Sequence, residues 1–204
     1  AYRSFLVLPP VQALAKLIRA LAEETADDEA LLDHYAETFY ALQKAGYDSL
    51  GGYLWEHFRY DETPYGDAAA RGTANAALVD AARWDVETFA ALSAVTPAQW
   101  RAAVAGRAGE EAAALLPVWR ADDTLSFEVL TEEYRKNGAG EFARYKAFTW
   151  SNHTLLRVVD PDLEEHALIG YEEERKEVQD KTRALLAGHS VNNMLLRVPE
   201  NLPR

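Results

Sequence analysis

The feature that most constrains the fold is a series of apolar stripes at helical spacing, separated by short helix-capping sequences. The first stripe consists of Val11, Leu14, Leu17, Ile18 and Leu21. The sequence Thr96-Pro97-Ala98-Gln99 is typical of a helix start. The threonine side chain can cap the first turn, the proline fits the first helical position, and the glutamine side chain can bond the backbone of the threonine. Each stripe can bury one face of a helix against neighbouring helices. The pattern therefore predicts a mainly α fold.

Capping residues and stripes together give the order of the predicted helices. Helices are expected from about Val11, after Thr25-Ala26-Asp27-Asp28, after Asp48 or Ser49, from Thr73 to Leu92, after Thr96, and after Asp122 or Thr124. The stretch from Asp61 to Gly66 is predicted to be a turn around Pro64. The segment from Tyr53 to Tyr60 is rich in aromatic residues, which favours core packing and leaves a binding surface as the alternative.

The pattern of the sequence changes after Gly138. Residues 142–150 alternate aromatic or long side chains with Ala143, Tyr145, Ala147 and Thr149, and residues 154–159 are rich in β-branched side chains. Both patterns predict strands. We place a domain boundary near Asn137, with a helical domain over residues 1–137 and a strand-bearing linker over residues 138–166.

Composition excludes several classes of function. The net charge of −12 argues against nonspecific binding to nucleic acid or to an anionic membrane surface. No apolar run approaches the roughly 20 residues that a membrane-spanning helix needs. The chain has no cysteine, so disulfides, thiolate chemistry and cysteine metal sites are excluded. A cytoplasmic location is the expectation.

One stretch is strongly acidic. Between Ala20 and Gln43 there is no Lys or Arg, and the acids are Glu23, Glu24, Asp27, Asp28, Glu29, Asp33 and Glu37. This stretch is interpreted as a solvated helix face and turn, with a docking face for a basic partner as the alternative.

Asp85 is the one candidate site residue that comes from the helical region. It falls on the apolar stripe of its predicted helix, where a carboxylate needs a partner. We interpret it as a buried structural carboxylate that holds an Arg, Tyr or Trp of a neighbouring helix; a functional acid is the alternative. No two of the five histidines have metal-ligand spacing, so no metal site is expected.

The C-terminal stretch begins with a glycine, continues as a helix and ends in an apolar run. Gly170 precedes a segment with Glu172 and Glu173 in its first turn, and Gly188 is placed just past its end. Met194-Leu195-Leu196 then predicts a short buried strand.

These residues resemble a known family. Leu168-Ile169-Gly170-Tyr171-Glu172, the following helix and Asn192-Asn193-Met194-Leu195-Leu196 are similar to the entry of the AAA-type ATPase module, and more narrowly to a bacterial family of uncharacterised AAA-type ATP-binding proteins. Residues 138–150 strengthen the match. The resemblance implies that residues 167–204 are the incomplete start of an AAA-type α/β core. It also implies that Leu168, Ile169 and Gly170 lie on the adenine side of a nucleotide site, and that intact relatives use ATP and magnesium.

The sequence departs from the family after Leu196. It reads Arg197-Val198-Pro199-Glu200, whereas the family's strand runs into a glycine-rich loop that cradles phosphate. We therefore expect no cofactor and no catalysis for this chain, and predict a non-catalytic N-terminal interaction region of an AAA-type protein, with a protein partner or self-association. The alternative is a stand-alone acidic helical adaptor with a relic ATPase-like tail. A third class is a helical enzyme built on carboxylates such as Asp85.

Overall fold

The structure is a computed structural model that describes residues 1–23, 27–159, 171–192 and 194. The chain divides into two compact units, Ala1–Pro161 and Asp162–Arg204, and each is described by itself. Helices dominate, and the described residues form one two-stranded sheet. The predicted mainly α fold class is confirmed.

Among its described residues, the first unit begins with a 3₁₀ turn at Arg3–Val7, which is followed by nine helices and a hairpin. The helices are α1 (Pro9–Ala22), α2 (Asp28–Lys44), α3 (Leu50–Tyr60), α4 (Pro64–Ala70), α5 (Ala76–Ala94), α6 (Pro97–Ala108), α7 (Glu110–Ala114), α8 (Phe127–Asn137) and α9 (Glu141–Arg144). The antiparallel strands are β1 (Phe148–Ser151) and β2 (Thr154–Arg157).

Capping side chains fix most helix starts. Asp27, Ser49, Asn75 and Ser126 each accept a hydrogen bond from a backbone N–H in the first turn, and Thr96 with Gln99 forms a full capping box. The predicted helix start at Asp122 or Thr124 was wrong, because Ser126 is the residue that caps α8.

The predicted turn from Asp61 to Gly66 was also wrong in its second half. Thr63 caps α4 through the Gly66 N–H, and Pro64 occupies the first turn. This is the Thr-Pro arrangement that also starts α6. The proline therefore begins a helix here and does not mark a turn.

The core is built from apolar faces of the helices and from aromatic residues near the N-terminus. Tyr2 and Phe5 pack on Phe58, with ring centroids 4.6 and 4.7 Å away. The Tyr2 and Tyr134 hydroxyls lie 3.2 Å apart, and the Tyr134 hydroxyl donates to the Phe58 carbonyl. Burial raises the pKa of Tyr134 to about 12. Within the aromatic stretch of α3, Tyr53, Leu54 and Phe58 are buried, as core packing requires.

The β-hairpin belongs to the first unit, whereas the sequence placed a boundary near Asn137. Residues 142–147 are not a strand: α9 ends at Arg144, and β1 begins at Phe148. The hairpin turn places Asn152 and His153 at positive φ, as a type I′ turn requires. The Arg144 guanidinium pairs with Glu56 at 2.7 Å, which ties α9 to α3.

The described part of the second unit is a single helix, α10 (Glu172–Leu186), with Gly188 at φ +79° just after it. None of its described residues is buried. Met194 is exposed and not in a strand; Leu195 and Leu196, the rest of the predicted strand, lie outside the described residues. Leu168, Ile169 and Gly170 also lie outside them.

Candidate interaction site

Asp85 lies on α5 at one end of a groove beside the start of the chain. Its Oδ2 accepts a hydrogen bond from the Tyr2 backbone N–H at 2.9 Å and lies 2.6 Å from the Ala1 amine. The side chain is 31% exposed. The carboxylate is therefore half-buried, and its partners are the backbone of the N-terminal segment, whereas the sequence suggested an Arg, Tyr or Trp side chain.

Asp85→Ala should lower the free energy of unfolding by about 1–3 kcal/mol, because the Tyr2 amide loses its charged acceptor. Urea unfolding measures this loss. Asp80→Ala on the same helix is the matched control, since Asp80 is exposed and makes no ion pair within the described chain. Equal stabilities of the two variants would contradict the anchoring role of Asp85.

An apolar groove runs beside Asp85, and we call it the N-terminal groove. It has a volume of about 350 Å³ and lies where the 3₁₀ turn, α1 and α5 meet. Its lining includes Leu6, Val11, Leu14, Ile18, Trp84 and Phe89. This volume lies at the lower end of the range of small-molecule pockets.

Large apolar side chains on the rim of the groove face solvent. Trp84 is 73% exposed and Leu6 is 57% exposed. Arg3 and Asp85 are the charged side chains in the lining. An exposed tryptophan beside an apolar cleft is typical of interaction surfaces, in which aromatic residues are enriched.

The groove was not predicted from the sequence. Trp84 lies off the predicted apolar stripe of α5, on the polar face of the helix. A tryptophan at such a position was the sequence signal that could have indicated an interaction surface. The groove could not be predicted, because it forms only where the first two segments of the chain, the 3₁₀ turn and α1, meet α5, which is distant from them in sequence.

A second polar cluster joins the loop before α8 to the start of α3. The Asp122 carboxylate accepts hydrogen bonds from the Ser49 hydroxyl at 2.9 Å, and from the Thr124 hydroxyl at 2.6 Å and amide at 3.0 Å. Burial alone would raise the pKa of Asp122, but these donors and the Arg120 guanidinium hold that pKa below its ordinary value. The carboxylate links the N-terminal cap of α3 to the loop before α8, so we interpret the cluster as structural.

The acidic stretch of α2 is partly used inside the fold. Asp27 caps the helix, Asp28 lies 3.9 Å from Arg107, and Glu37 pairs with Lys16 at 3.0 Å. Glu29 and Asp33 are exposed. Both interpretations of the stretch, a solvated face and a docking face, remain consistent with this arrangement.

The part of the chain that the structure describes offers neither a metal site nor a membrane-spanning helix. No cluster of three or more His, Cys, Asp or Glu side chains within that part could hold a metal ion. No helix within it is both long enough and apolar enough to cross a bilayer.

Comparison with known proteins adds no relative. Neither a scan against protein-family models nor searches of curated proteins and of solved structures found a match. The AAA-type relation therefore rests on the residues quoted above and stays a prediction.

Proposed function

We propose that this chain is a non-catalytic interaction region, the N-terminal part of an AAA-type ATP-binding protein. The observation that carries the interaction role is the N-terminal groove, whose apolar lining is bordered by the exposed Trp84 and Leu6. Water contact with such side chains is unfavourable, and a protein partner that covers them recovers that free energy. The AAA-type context is supported by the sequence resemblance of Leu168-Ile169-Gly170-Tyr171-Glu172, of Asn192-Asn193-Met194-Leu195-Leu196 and of residues 138–150, and not by the groove.

ATP binding provides the first test. The sequence after Leu196 contains no glycine and no Gly-Lys-Ser/Thr, so the backbone cradle and lysine that hold phosphates are missing. Isothermal titration calorimetry of this chain with ATP and magnesium should give no binding at concentrations below about 1 mM. Micromolar binding would contradict the non-catalytic assignment.

The alternative is a stand-alone acidic adaptor, and the exposed Glu29 and Asp33 on α2 favour it. The intact mass of the native protein in its source cells separates the two proposals. A mass well above the 22.8 kDa of this chain supports an N-terminal region of a larger ATPase. A mass near 22.8 kDa supports the adaptor.

A further inference from the structure

Residues 141–158 contribute no side chain to the core of the first unit. They comprise α9, the connection to β1 and the β-hairpin, and we call them the hairpin arm. None of these residues is buried, whereas Leu54 and Phe58 of the neighbouring α3 are fully buried. An isolated two-stranded sheet has marginal stability in water. The hairpin arm is therefore held by its own contacts and by its attachment to the helical body, which consists of α1–α8.

Contacts within the hairpin arm join its parts. The Arg157 guanidinium pairs with Glu141 at 2.9 Å, which links β2 to α9. Phe148 packs on Phe142 and on Tyr145, with ring centroids 5.0 and 6.4 Å away. The two strands pair in a continuous antiparallel register. Because these contacts connect α9 to both strands, α9 and the β-hairpin can move together as one unit.

Among the described residues, one side chain joins the hairpin arm to the helical body. The Arg144 guanidinium pairs with Glu56 at 2.7 Å and lies over the Tyr60 ring, 5.3 Å from its centroid. Both partners belong to α3. Beyond residue 140, no other hydrogen bond, ion pair or ring contact within the described chain connects the arm to α1–α8. The pair is partly exposed, so it contributes modestly and is screened by salt.

The hairpin arm begins just after two glycines. Gly138 (φ +79°, ψ −169°) and Gly140 (φ +71°, ψ −155°) lie in a region of backbone space that is open essentially to glycine alone. Ala139, between them, packs against the core. Glycine populates positive and negative φ about equally readily, so a change of φ at Gly140 has little steric cost. Rotation at Gly140 can therefore move the arm while Ala139 stays in place.

We propose that the hairpin arm rotates as one unit about Gly140, and that the Arg144–Glu56 pair holds it closed against α3. The closed and open positions are two states of the first unit, and this ion pair sets their ratio. A cation that pairs with Glu56 competes with Arg144 and favours the open state. The proposal goes beyond the interaction role and does not involve the N-terminal groove.

A distance measurement between two spin labels tests the position of the arm. The chain has no cysteine, so Thr149→Cys in β1 and Asp80→Cys in α5 supply the labelled pair. Both positions are exposed. Double electron–electron resonance should show one main distance and a second, minor one. Arg144→Gln should raise the ratio of the minor to the main population about two- to fivefold, as loss of one exposed ion pair predicts.

Further variants separate this ion pair from the loss of a charge. Lys16→Gln removes an exposed pair of the same kind, Lys16 with Glu37 at 3.0 Å, and should leave the distances unchanged. Arg144→Glu alone should open the arm, and adding Glu56→Arg should restore the wild-type ratio. Raising salt from about 0.1 M to about 1 M should raise the minor population in the wild-type chain but not in Arg144→Gln.

Hydrogen exchange distinguishes rotation of the arm from unfolding of the hairpin. The amides of β1 and β2 should keep their wild-type protection in Arg144→Gln, because the arm moves intact. Loss of protection at these amides would overturn the proposal and indicate local unfolding. The same distance distribution in wild type and in Arg144→Gln, or a single distance in every variant, would also overturn it.

Discussion

Asp122→Ala should lower the free energy of unfolding by about 2–4 kcal/mol, one of the largest losses expected from a single polar side chain in this protein. The carboxylate is only 4% exposed and accepts from the Ser49 and Thr124 hydroxyls and the Thr124 amide. Alanine would leave the buried Ser49 hydroxyl without its acceptor, and the Thr124 hydroxyl and amide would lose theirs at the edge of the cluster. Urea unfolding followed by circular dichroism measures the loss.

The same carboxylate should make stability depend on pH in a defined window. The pKa of Asp122 is lowered in the folded protein, so its contribution is complete above the ordinary aspartate pKa of about 3.9 and is lost as pH falls through the lower folded value. Asp122→Asn keeps the shape but cannot ionise. The stability difference between wild type and Asp122→Asn should therefore shrink below about pH 4. A difference that stays constant in acid would contradict the role assigned to the charge.

Gly51→Ala should destabilise the protein, although alanine normally favours a helix. A Cβ at Gly51 in α3 would lie 2.7 Å from the Cβ and 2.8 Å from the Cγ of Asp122. Overpacking of this kind costs about 1–3 kcal/mol, which outweighs the roughly 0.5–1 kcal/mol that alanine gains over glycine in a helix. Thermal and urea unfolding would both report the loss.

Gly106→Ala is the matched control for this substitution. Gly106 lies inside α6, and a Cβ there would have no atom within 4 Å. It should stabilise the protein by about 0.5–1 kcal/mol through helix propensity alone. Opposite signs for the two substitutions would identify the contact with Asp122 as the cause. Stabilisation by both would mean that α3 and the Asp122 loop are less tightly packed than described.

The helical part of the fold could be predicted because its signals are local. The capping box at Thr96 and Gln99 is visible in four consecutive residues, and the structure contains it. Pro64 was misinterpreted because proline occurs both in turns and in the first turn of helices. The hydrogen bond from the Gly66 amide to the Thr63 side chain identifies Pro64 as part of a helix start. Asp122 was misassigned because its partner Ser49 is distant in sequence.

The candidate site was less accessible to sequence analysis. Asp85 was singled out for its place on an apolar stripe, but its partner, the Tyr2 amide, is a backbone group that no sequence pattern identifies. The N-terminal groove depends on how the 3₁₀ turn and α1 approach α5. This approach is set by tertiary packing. The sequence alone therefore shows only that Trp84 lies off the apolar stripe of its helix.

The most direct test of the interaction role is site-specific photo-crosslinking from the groove in cells that make this protein natively. A benzophenone amino acid in place of Trp84 should form a covalent adduct with a protein that occupies the groove. The same group in place of Glu111, an exposed residue of α7 outside the groove, is the control. We predict adducts from position 84 that disappear when Ile18→Ser alters the opposite wall of the groove. Equal yields from positions 84 and 111, or no adduct from either, would contradict the conclusion that this surface binds a partner.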